Sequence, residues 1–248
     1  IANPVVRRLF AWYCRGMLQR GLRSFEGFIH VSPAFMTWLH RYAPGRESRF
    51  IPLGFDETRW NITSVPWPAE TGDLNVVYCG SLTGNFPIMS FLEAIKDNPR
   101  IRIRILGDNG TGSHYARVKA FCEAHLPNRC ELHGVLPPEA VVEYYRTSHL
   151  CLISARGKIL PTKTYDAIGA ALPIFSVGDT ATSAFVREHQ FGFCAAVDAR
   201  EIAGVLNAVT PEAWEAVKAN ICRERPAYTH GRIVEELCNT IEQFHNDR

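Results

Sequence analysis

The sequence contains no C-x-x-C pair, no apolar run approaching the length of a membrane span, no block of like charges and no initiator methionine. Each absence excludes something. The eight cysteines (Cys14, Cys79, Cys122, Cys130, Cys151, Cys194, Cys222 and Cys238) lack paired spacing, which argues against a disulfide framework or a zinc ribbon. They read as small hydrophobes in a reducing compartment, with Cys79 and Cys151 inside strand-like runs. A membrane span needs roughly 20 apolar residues, and the first residues lack a signal peptide's apolar region and cleavage site, so a cytoplasmic location is expected. A formal net charge of +2 over 248 residues leaves no footprint for nucleic acid. Repeats, low-complexity tracts and metal-ligand spacings are missing too, so neither a metal nor a tightly bound cofactor is expected. The opening IANPVVRRLF, without its Met, reads as the start of a fragment.

What is present suits a folded protein: 46% hydrophobic and 11% aromatic residues can bury a substantial core. The charge is uneven. Residues 1–54 hold eight arginines against Glu26 and Glu47, a local charge of +6. Five of those arginines (Arg7, Arg8, Arg15, Arg20 and Arg23) share a helix expected over 5–23 with Leu9, Phe10, Trp12, Tyr13, Met17 and Leu18. Such a helix suits an anionic membrane surface; packing on further protein is the blander reading.

From residue 74 onward, apolar runs alternate with helical periods. Strands are expected at 74–80, 101–107, 129–134, 149–154, 172–177 and 191–197. Helices are expected near 87–97, 113–125, 137–146, 163–171 and 180–189. This alternation predicts an α/β fold with a Rossmann-like, doubly wound parallel sheet, whose ligands bind beyond the C-terminal strand ends. Helices alone follow Asp198. The expected division is 1–54, the end of a preceding domain with short strands at 28–32 and 49–54; 55–73, a hinge and linker; 74–228, the Rossmann-like domain; and 229–248, a C-terminal helix.

The segment ILPTKTYDAIGAALPIFSV carries the chemistry. Pro161 and Thr162 lead into a helix starting near Lys163, with Thr162 the expected N-cap. A helix N-terminus offers N–H donors and partial positive charge, and a first-turn lysine adds a cation for a diphosphate. Asp166, three residues on, lies on the same face about 5 Å away, a spacing that suits ribose hydroxyls. The pair is also what an ordinary solvated helix would carry. Two more strand ends supply loops. CGSLTGNFP brings Gly80, Ser81, Gly84 and Asn85, where glycines admit close backbone approach. GDNGTG brings Gly107 and Asp108, with spacing that misses the dinucleotide fingerprint.

Taken in order, YCGSL, ILGDNG, LHGVLP, a strand ending LIS, and LPTKTYDAIGAALPI resemble the C-terminal, donor-binding domain of GT-B glycosyltransferases of the large, mostly retaining bacterial polysaccharide families. FIHVSPAF and RFIPLGFDETRW resemble that family's last N-domain strand and its P-x-G-x-D hinge. The resemblance covers roughly residues 26–245. It implies transfer of a hexosyl group from a UDP- or GDP-sugar to a glycan or lipid-linked acceptor, with retention. Lys163 would hold the phosphates and Asp166, where the family usually has Glu, the ribose. Gly80, Ser81, Gly84, Asn85, Pro161 and Thr162 would line the donor site, and Gly107, Asp108 and Val135 the base. Arg156 and Lys158 would assist; Lys158 stands where the family often has a sugar-facing Glu. Any catalytic histidine of the acceptor-binding domain would lie outside this sequence. A nucleotide-sugar epimerase and a non-catalytic nucleotide-binding remnant are the competing readings, and a NAD-dependent dehydrogenase a weaker one.

Overall fold

The computed structural model describes residues 4–60, 62–68, 72–82, 87–107, 112–154, 157 and 159–246. Two compact units divide the chain, one from the N-terminus to Pro52 together with the segment from Ile233 onward, the other from Leu53 to Arg232. In the first unit, α1 (Pro4–Arg23) precedes two short parallel strands, β1 (Gly27–His30) and β2 (Glu47–Phe50), joined by α2 (Pro33–Tyr42). None of the α1 side chains is buried. Gly27 is packed so closely that a Cβ there would sit 2.6 Å from the Phe244 ring.

The second unit is built on six parallel strands in the order β5-β4-β3-β6-β7-β8. These are β3 (Leu74–Cys79), β4 (Ile101–Leu106), β5 (Cys130–Leu132), β6 (Leu150–Ser154), β7 (Ile174–Val177) and β8 (Gly192–Ala195). Between them run α3 (Ile88–Ile95), α4 (Ser113–His125), α5 (Pro138–Arg146), α6 (Thr162–Gly169) and α7 (Ala181–His189). Such crossovers cover both faces of a parallel sheet, so its central strands are apolar throughout. All five residues of β6 are buried. β4 instead alternates, with Ile101, Ile103 and Ile105 inside and Arg102 and Arg104 half-buried. Arg102 pairs with Asp73, and Arg104 donates to Thr147 Oγ1 at 3.0 Å.

One core places Val76, Tyr78 and Ile103 against α3 and α4, and the other places Val77, Cys151 and Ile153 against α6 and α7. The chain goes outward from β3 through β4 to β5, then returns beside β3 with β6. That reversal opens a crevice at the C-terminal ends of β3 and β6. Three further helices follow, α8 (Ala199–Ala208), α9 (Pro211–Glu224) and α10 (His230–Asn246). Asp198 caps α8 by accepting from two backbone N–H groups, and Thr210 caps α9. Glu57 accepts from His230 and Gly231 N–H at 3.0 Å each, which closes the start of α10.

Residues 55–60 and 62–68 have little regular structure, yet they are tied down. Phe55, Trp60 and Ser64 are buried, Ser64 N–H donates to Ala170 O and Val65 N–H to Arg146 O. Lys218 Nζ donates to the Ser64 and Val65 carbonyls and lies 4.7 Å from the Trp214 ring centre. The cysteines divide: Cys122 and Cys151 are buried as expected, whereas Cys14, Cys222 and Cys238 are exposed.

Candidate functional site

The helix start differs from the sequence expectation. Pro161, not Thr162, is the N-cap of α6, held extended at φ −71° and ψ 150°, and no side chain caps the helix. Its carbonyl accepts from Thr164 N–H at 3.0 Å, so Thr162 becomes the first helical residue. Proline fixes φ near −65° and needs no hydrogen bond of its own, which lets it hold the entry turn without a capping hydroxyl.

Lys163 and Asp166 then face the same cleft. Lys163 Nζ donates to Asp166 Oδ2 at 3.1 Å, with the side chains 37% and 17% exposed. Burial raises the Asp166 carboxyl above its ordinary range and outweighs the opposing pull of Lys163. Burial alone would lower Lys163, but the neighbouring Asp166 carboxylate carries it upward. One cation therefore offsets one largely buried carboxylate, an arrangement that an incoming anion can reorder.

The cleft, of about 450 Å³, is lined by Gly80, Ser81, Gly107, Val135, Thr162, Lys163 and Asp166, so seven of the expected residues converge. Pro161 lines a smaller recess that shares Gly80 and Lys163 with it. Gly84, Asn85, Asp108, Arg156 and Lys158 lie outside the described residues. The two described glycines make room; their N–H groups are engaged elsewhere, because Gly80 donates to Leu106 O at 2.9 Å and Gly107 to Gly134 O at 3.0 Å. Gly107 has φ +98°, and a Cβ there would stand 3.4 Å from Gly80 N. The positive φ is what requires glycine; the contact itself is an ordinary one.

The same cleft holds residues that the sequence reading passed over. Arg59 lies on its wall, and its charge favours the ionised Asp166 carboxylate. Trp60, buried and edge-on to Tyr145 at 4.9 Å between ring centres, forms part of the floor. Leu136, Pro138 and Val141 extend the apolar wall begun by Val135. The half-buried Cys79 thiol is held protonated by burial. Among the described residues no group of three His, Cys, Asp or Glu side chains converges as a metal site would require.

A doubly wound parallel sheet with a lysine-bearing helix N-terminus at its switch point is an α/β domain with an anion-attracting feature where such sheets take their ligands. The family model for glycosyl transferase-like proteins matches residues 89–239, and the chain belongs to that family. Its fold is the Rossmann-like fold of GT-B glycosyltransferases. The sucrose-phosphate synthase of Thermosynechococcus elongatus superposes with a TM-score of 0.77 at 16% identity, over 100% of this chain and 65% of that one. HepE of Anabaena, solved in complex with UDP-glucose, gives 0.71 at 14% identity over 91% and 68% of the two chains. The trehalose 6-phosphate synthase of Burkholderia multivorans gives 0.72 at 10% over 100% and 65%. This chain thus spans about two thirds of the length of these structures. No curated protein matches its sequence.

Proposed function

We propose that this chain binds the donor in a glycosyltransferase that moves a hexosyl group from a nucleoside-diphosphate sugar to a glycan or lipid-linked acceptor in polysaccharide synthesis. One observation carries the reading: the Lys163–Asp166 pair joins the first and second turns of α6, inside a cleft at the strand ends. A diphosphate would take Lys163 and the N-terminal dipole of α6, the strongest anion-attracting feature of the cleft. Asp166, released from its lysine, would accept from the ribose hydroxyls. The apolar wall from Val135 to Val141 suits a planar base, and Arg59 adds a second cation beside the phosphates. Catalysis would follow from fixing the donor and stabilising charge on the departing diphosphate. UDP is the favoured nucleotide, since HepE, of the same fold, is solved with UDP-glucose; GDP is the alternative. Retention of configuration rests on the family resemblance.

Calorimetric titration with UDP, GDP, ADP and NADH tests the assignment. One nucleoside diphosphate should bind selectively, and Lys163→Ala and Asp166→Asn should each weaken it by about tenfold or more, the scale of a lost charge-assisted hydrogen bond. Binding of NADH alone, or affinities untouched by either substitution, would overturn the reading.

A further inference from the structure

Arg59 stands on the wall of the cleft with its side chain uncommitted. The backbone around it is fixed: Arg59 N–H and Trp60 N–H both donate to Asp56 O, at 3.1 and 2.9 Å, and the Trp60 side chain is buried. The Arg59 side chain is exposed and makes no hydrogen bond or ion pair among the described residues. Asp56, three residues earlier, accepts instead from the N–H and the hydroxyl of Thr58, at 2.9 and 2.6 Å. An anchored turn therefore presents a guanidinium that nothing in the fold engages.

The charge balance of the cleft gives it a task. The Asp166 side chain is 17% exposed, and the cation in contact with it is Lys163, at 3.1 Å. If Lys163 turns to a diphosphate, as the donor-site reading above requires, the carboxylate loses that contact. Ribose hydroxyls can donate to it but bring no charge, and a largely buried carboxylate stripped of its cation is strongly unfavourable. Burial works against the ionised carboxyl, while Lys163, Arg59 and His230, in that order, favour it. Of the last two, Arg59 lines the cleft and His230 does not. The shape of a guanidinium also suits the exchange. Its five donors form a planar fork, so one edge can meet a carboxylate while the other still faces a phosphate.

We infer that Arg59 is a positioning residue: it takes over Asp166 when the diphosphate draws Lys163 away, and so holds the carboxylate ionised and available to the ribose. The test is a cycle of Arg59→Gln and Asp166→Asn in the full chain, titrated by calorimetry with UDP and with GDP. For whichever nucleotide the wild type binds more tightly, Arg59→Gln should weaken binding by about tenfold, the scale of a lost charge-assisted contact. Beside Asp166→Asn, where no carboxylate needs a cation, the same substitution should cost about twofold or less. Arg59→Lys should recover part of the loss, since it restores the charge without the fork. The melting temperature of Arg59→Gln should match the wild type, because the side chain holds no part of the fold. An equal loss in both backgrounds would make Arg59 a phosphate contact only, and no loss in either would leave it a solvated arginine. Either result sinks the inference while the donor site stands. Failure of both nucleotides to bind, or indifference of binding to Lys163→Ala, would remove the donor-site reading and this inference with it.

Discussion

At the scale of single residues, burial decides which charges this unit tolerates. His149 lies just before β6 with its ring enclosed; Nδ1 accepts from Asn75 N–H at 2.9 Å, and its carbonyl accepts from Trp214 Nε1 at 2.7 Å. Desolvation first, then the nearby charges of Lys218 and Arg104, lower its pKa to about 4. The folded state therefore holds the ring neutral, whereas the unfolded chain protonates it below about 6.5. The unfolded state binds more protons across that interval, so stability is fully present above about pH 6.5 and declines as the pH falls toward 4. Chemical denaturation over that range should show the decline, and His149→Gln, which cannot take up a proton there, should flatten it. An identical slope in the variant would place the effect elsewhere. Sequence reading found Lys163 and Asp166 because their spacing is a helix-face relation within four residues. It did not find Arg59 or Trp60, since both lie in an aperiodic segment about a hundred residues upstream, where no local pattern signals proximity to α6.

At the scale of elements, α6 is fixed at both ends by residues that take up little space. Pro161 sets its entry, and Gly169 lets its last turn lie against segment 55–60. A Cβ at Gly169 would stand 2.6 Å from Trp60 Cβ and 2.8 Å from the Phe55 ring. Gly169→Ala gains about 1 kcal/mol in helix propensity but overpacks this contact, typically a loss of about 1–3 kcal/mol, and the clash should win. The melting temperature should drop by several degrees, and nucleotide affinity should weaken because Trp60 and Arg59 line the cleft that α6 opens. An unchanged melting temperature would mean the contact yields freely. The sheet was legible from its apolar runs because a parallel strand buried on both faces has little choice of composition. The cap of α6 departs from the sequence expectation for a local reason: hydroxyl preference at N-caps is strong, yet a proline in the extended conformation can hold that position.

At the scale of the whole molecule, α1 presents its aromatics and arginines together. Trp12 is 74% exposed and Phe10 56%, on the helix that carries five arginines and no acidic residue. No helix among the described residues is long and apolar enough to cross a membrane. A surface contact with anionic lipid is the arrangement that would use this face, with arginines meeting headgroups and aromatics the acyl boundary. Flotation with vesicles containing phosphatidylserine should carry the protein upward, high salt or replacement of Arg7, Arg8 and Arg15 by Gln should weaken this, and neutral vesicles should not retain it. Equal flotation with neutral vesicles would discount the electrostatic contact. The alternation of strands and helices disclosed the layout of the second unit; no periodicity discloses what covers an exposed amphipathic face. The layout also governs how the cleft comes into being. Gly80, Gly107, Val135 and Lys163 each follow a different strand of the six, so no hairpin or helix pair formed early in folding contains a partial version of the site. Pairings this distant along the chain close late. A ligand that engages all four connections thus recognises only the completed sheet and, by mass action, draws the population toward it. For this chain, occupancy of the cleft and integrity of the fold are one equilibrium seen from two sides.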